Sequence, residues 1–262
     1  MYRSAILTMC LVGALATPCH AQNSDGWDYA DTPAVKVASV SFGSGQSIAI
    51  RCAGGELDVM ILGLPVETGG GNRLLEVGLG GADLRRQTWL NHESAAVVYS
   101  ARPAFSARYL RGGGQLTLRM TPSEAQPVIR RFQLKLPTDG LNIDRVLEVC
   151  SVPLTDARDQ VFEIEPPLSP PPNLQTNLWE QLPHVNFPGT AANAGVAAGR
   201  ASVSCLVGER GDLGQCRVER ESPKGVGFGR ETVRAFERAR VRLTPGVEPG
   251  QIVIIQTMFA ID

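Results

Sequence analysis

Histidine is scarce in this sequence. The chain of 262 residues has three, and the first, His20, lies in the leading segment. His92 and His184 stand alone, with no Gly-x-Ser-x-Gly elbow near either. A Ser-His-Asp or Cys-His site assembles in space, so a hydrolase in the first domain would need His92 to meet a nucleophile and an acid. Metal motifs are lacking too: there is no Cys-x-x-Cys, no His-Glu-x-x-His and no Asp-rich calcium loop. Nothing in the sequence asks for a metal or a small-molecule cofactor, and the expectation is a protein that is not an enzyme. Charge of one sign is lacking as well. With 25 Lys and Arg against 26 Asp and Glu, the formal net charge is −1, so nothing favours nucleic acid or an anionic membrane surface. After the leading segment no apolar run approaches the roughly 20 residues that span a bilayer.

The amino terminus carries what the rest lacks. Arg3 supplies one positive charge, residues 4–17 are uncharged and mostly apolar, and Pro18 ends the run. Cys19 and Ala21 then offer small side chains at the −3 and −1 positions of a cleavage site. This is the layout of a secretory signal peptide over residues 1–21, cut after Ala21. Loss of Arg3 with it leaves a net charge of −2. The expected location is outside the cytoplasm. The alternative is retention of the segment as a membrane anchor.

Cysteine usage agrees with export. Four cysteines remain after cleavage: Cys52, Cys150, Cys205 and Cys216. An even number in an oxidising compartment favours disulfides. Three pairings are open, and the domain division favours Cys52–Cys150 and Cys205–Cys216. That division comes from residues 165–173, Glu-Pro-Pro-Leu-Ser-Pro-Pro-Pro-Asn. Five prolines in this span exclude a helix or an inner strand and favour a polyproline II spacer. Its reach is about 30 Å.

The expected fold class is α+β. Residues 22–164 read as a mostly-β, sandwich-like domain. Short apolar segments at 35–42, 47–52, 56–62, 74–79, 95–99, 115–120 and 128–136 are separated by turn signals such as 53–55 and 68–71. Two helices are expected, at 104–111 and near 143–149. Residues 174–262 read as a smaller domain in the order α-β-β-α-β: a helical patch at 190–195, strands at 200–207 and 213–219, a helix at 230–240 and a strand at 251–259. Centring the hairpin on Arg210 and Gly211 places Cys205 opposite Cys216, within disulfide reach unless a one-residue bulge shifts the register.

The second domain resembles the C-terminal domain of the TonB energy-transducer family. The resemblance rests on Phe187-Pro188, on Gly199-Arg200-Ala201-Ser202-Val203 opening a strand and on the turn Gly211-Asp212-Leu213. It continues through the return strand to Val218, Gly227-Phe228-Gly229 before the helix, Leu243-Thr244-Pro245, Gly250 and the closing strand 252–259. It covers about a third of the chain. The cysteine pair fits periplasmic TonB-like proteins, and the resemblance implies the periplasm of a Gram-negative cell as the location. The resemblance implies a role in transmembrane transport: binding a short segment of an outer-membrane transporter, or another envelope protein, by adding a strand to an exposed sheet edge. On that basis Ile252, Ile254, Gln256 and Met258 of the last strand are the expected partner-binding residues. The chain departs from a full transducer in its removable leader, its short spacer and its globular first domain. A membrane-anchored energy transducer is the alternative, and the envelope hydrolase invoking His92 is the second.

Three other features read as structural. The loop Gly225-Val226-Gly227-Phe228-Gly229 has the wrong spacing and setting for a dinucleotide site and reads as a tight turn before a helix. Arg130, Arg131, Arg234, Arg238, Arg240 and Arg242 read as solvated faces. So does Asp156-Ala157-Arg158-Asp159, because surface charge pairs contribute little.

Overall fold

The structure, a computed structural model, describes residues 26–66, 72–92, 96–120, 128–161 and 178–261. The expected signal peptide (1–21), the proline-rich spacer (165–173) and the turn at 68–71 lie outside the described residues. The architecture is α+β: one large antiparallel sheet, with small sheets and helices toward the C terminus.

Among the described residues the first region builds nine strands: β1 (Asp28–Asp31), β2 (Val35–Ser41), β3 (Ser47–Ala53), β4 (Glu56–Leu62), β5 (Asn72–Leu79), β6 (Arg85–Asn91), β7 (Val97–Ser100), β8 (Gly114–Met120) and β9 (Arg130–Leu136). They hydrogen-bond in the order β1-β2-β3-β4-β7-β6-β5-β8-β9. Where the sequence suggests a sandwich, the strands form one continuous sheet. The period-2 pattern explains its buried side. Ile48, Ile50 and Cys52 of β3, Leu57, Val59 and Ile61 of β4, and Leu116, Leu118 and Met120 of β8 all enter one core. Helices α1 (Pro103–Arg111) and α2 (Leu141–Val149) join them through Ala107, Leu110, Ile143, Val146 and Leu147. Both helices start within two residues of the expected positions. Strand β6 was not expected: Arg85-Arg86-Gln87 carries no alternating apolar signal, and pairing with β5 and β7 decides it instead.

The second region contains β10 (Trp179–Gln181), α3 (Gly189–Asn193), β11 (Ala198–Val207), β12 (Leu213–Ser222), α4 (Phe228–Phe236), β13 (Arg240–Val241) and β14 (Ile252–Ala260). Its main sheet runs β12-β11-β14, and β10 pairs with β13 in a separate ribbon. This ribbon explains why α4 stops at Phe236 rather than at the expected Arg240. Val241 is fully buried, and its N–H donates to the Gly211 carbonyl at 2.8 Å, so tertiary pairing overrides the helical pattern. A side chain at Gly211 would overlap that same strand at the Val241 carbonyl.

Both expected disulfides are formed, Cys52–Cys150 and Cys205–Cys216. The first joins β3 to the end of α2 across 98 residues of sequence. The second crosses the β11–β12 hairpin, where Ser204 opposes Arg217 but Leu206 opposes Gly214. The register thus slips by one residue beside the bridge, and Gln215, with φ of 48°, takes up the extra position. Two disulfides indicate an oxidising, extracytoplasmic location. No helix among the described residues is long and apolar enough to cross a membrane.

Candidate binding edge and domain interface

Strand β14 pairs with β11 on one side and ends the sheet on the other, among the described residues. Its two faces differ. Val253, Ile255 and Phe259 enter the apolar layer beneath α4. Ile252, Ile254, Gln256 and Met258 lie on the opposite face, in register with Leu206, Ser204, Ser202 and Arg200 of β11. These four expected partner-binding residues do not form one exposed row. Ile252 is fully buried, Ile254 and Gln256 are half-buried, and only Met258, 88% exposed, is open to solvent.

The residues that carry the family resemblance have physical roles around this strand. Phe187, Phe228 and Phe259 form an aromatic cluster. The Phe228 and Phe259 ring centres lie 4.7 Å apart, and Phe187 meets Phe228 edge-on at 5.5 Å. A side chain at Gly199 would overlap the Phe228 ring, so the glycine lets β11 pass beneath it. The glycine loop before α4 binds an internal carboxylate. Glu221 Oε1 accepts from the N–H groups of Gly227 and Phe228 at 2.7 and 3.0 Å, the favoured placement of an anion at a helix start.

No known family model matches this chain, and no curated protein does either. The second notable surface is the contact between the two regions. Ser202 donates to the Ala101 carbonyl at 2.9 Å. Arg158 donates to Ser204 Oγ at 2.8 Å, and Ser204 donates to Glu219 at 2.5 Å. Arg102 lies 3.7 Å from the same Glu219, with side-chain exposures of 4% and 10%. In the reverse direction, Arg220 of β12 reaches Asp58 at 2.9 Å and Glu56 at 3.6 Å and lies over the Tyr99 ring at 4.8 Å. At the rim Arg217 pairs with Asp156, and Lys224 donates to the Gly55 carbonyl at 2.5 Å.

The run Asp156-Ala157-Arg158-Asp159 is therefore not a solvated patch. It forms a 3-10 turn capped by Asp156, whose side chain accepts from the Arg158 N–H. Arg158 is buried, and Asp159 holds Arg108 at 2.6 Å. Burial lowers the Arg158 pKa, with Glu219 opposing that shift. Burial alone would raise the Asp156 carboxyl. The Arg158 N–H, Arg217 and Arg108 outweigh it and hold that carboxyl below its ordinary value. Glu56 moves the other way: burial raises it, and the Arg220 guanidinium only partly opposes this.

Elsewhere the chemistry is thin. No group of three or more His, Cys, Asp or Glu suited to a metal occurs among the described residues. His92 lies beside Tyr99, ring centres 6.3 Å apart, and His184 sits in the segment leading to α3. Two open grooves of about 370 and 480 Å³ flank Arg108 and Arg111. Both guanidinium groups are already engaged, by Asp159 and by Asp144.

Proposed function

We infer that the protein is a non-enzymatic, TonB-like binding protein of the periplasm, and that it engages an outer-membrane transporter or another envelope protein by strand addition at β14. The observation that carries this reading is the edge of a nine-residue strand that no strand pairs among the described residues. Unpaired backbone groups template an incoming strand. The α-β-β-α-β order, the packing roles of Phe187, Gly199 and Phe228, the two disulfides and the signal-peptide layout support it. On this reading Met258 is the side chain free to contact the added strand, and Ile252, Ile254 and Gln256 set the geometry of the edge from within.

Proline substitution tests the edge directly. Along an edge strand, successive N–H groups point alternately toward the paired neighbour and outward. Of Ile254→Pro and Ile255→Pro, one removes a ladder bond to β11 and the other removes an outward donor. The variant that keeps its thermal midpoint is expected to lose capture of an envelope partner by at least about ten-fold. Undiminished capture by that stable variant would remove edge pairing as the mechanism.

A further inference from the structure

The two regions have separate apolar cores. One is drawn from β1–β9, α1 and α2 with their flanking segments, and the others lie wholly within residues 178–260. The hydrogen bonds and ion pairs between the regions form a reciprocal set. Arg102 and Arg158 of the first region converge on Ser204 and Glu219 of the second. Arg220 of the second returns to Asp58 and Glu56 of the first. Such pairs fix one mutual orientation, because a shift of a residue strands a buried charge. They add little net stability, because the cost of taking the charges out of water offsets their attraction. When the contact opens, each group regains water, whereas an apolar contact would resist opening. Polar interfaces of this kind move by default.

We propose that the first region is a reversible cover over the outer face of the β11–β12 hairpin, held shut by this reciprocal arginine–carboxylate clasp. The closed state buries Ser202 and Ser204, which have 3% and 0% exposure. The open state uncovers them while the cores of both regions and both disulfides stay intact. This device does not depend on the edge-binding reading, since its test involves no partner.

Thiol labelling distinguishes opening from unfolding. All four cysteines outside the leading segment are in disulfides, so an introduced cysteine is the sole reactive thiol of the leader-free protein. Ser202→Cys reports on the covered face. Thr232→Cys reports on the interior of the second region, where Thr232 is fully buried and bonds to the Phe228 carbonyl. With N-ethylmaleimide under native conditions, Ser202→Cys is expected to label at least about ten-fold faster than Thr232→Cys, because breaking the clasp requires less than breaking a core. Adding Arg220→Gln, or independently Arg102→Gln, should speed the first site about ten-fold more and leave the second unchanged. Equal rates at the two sites, or equal acceleration of both by either arginine variant, would overturn the cover: exposure would then follow global unfolding.

Discussion

Both faces of β11 are buried along Ala201–Cys205, but by different means. Beneath α4 the sheet presents Val203, Cys205, Val207, Val253 and Ile255, joined by Ala235 and Phe236 of the helix. Toward the first region the sheet presents Ser202 and Ser204 of β11 and Glu219 and Arg220 of β12. The apolar face gains stability from area removed from water, without regard to direction. The polar face gains little net stability but admits one docking geometry. One strand thus holds its own domain together with one row of side chains and positions a second domain with the other.

The largest expected effect breaks the apolar face. Phe228 is fully buried between Phe187 and Phe259. Phe228→Ala should cost about 3–5 kcal/mol, read as a lowered urea midpoint with loss of the near-ultraviolet dichroism of the second region. A smaller effect should follow on the polar face. Glu219→Ala leaves Arg102 and Arg158 without their shared carboxylate and should cost about 2–3 kcal/mol. Its signature differs in kind. The radius of gyration from small-angle scattering should grow while the aromatic dichroism persists. If both variants lose dichroism together, the two faces form one cooperative unit and the contrast between them fails.

The sequence makes one of these faces legible and conceals the other. Ala201-Ser202-Val203-Ser204-Cys205 alternates cleanly, which marks a strand and its core side. The serine side then reads as solvent-facing, because the residues that cover it lie far away: Ser202 bonds to Ala101 and Ser204 to Arg158. No local pattern encodes contacts at that separation. Arg158, set between two aspartates, carries the composition of a surface patch while being buried. The disulfide pairs were legible because the proline-rich spacer divides the cysteines two and two. The short strands β1, β10 and β13 were not, since two to four residues hold no period. The four β14 positions were legible as one face, and their burial was not, because it depends on what lies across from that face.

The smallest effect probes electrostatics at the rim of the polar face. Glu56 lies 3.6 Å from Arg220 and is more exposed than Asp58 beside it. Burial raises its pKa above the ordinary glutamate value of 4.5, against the pull of Arg220. A carboxyl raised in the folded state binds its proton more tightly there than in the unfolded chain. Its contribution to stability is therefore fully present below the unfolded value and is lost as pH rises through the folded value. Glu56→Gln removes this dependence. Measured against that variant, the wild-type unfolding free energy from urea titration should fall as pH rises from about 4 to about 7, by an amount within about 0.5 kcal/mol because water screens the group. A difference that instead grows with pH would show that the attraction of Arg220 exceeds the burial cost. The clasp would then be a net source of stability, and the contrast between a stabilising apolar face and an orienting polar face would weaken.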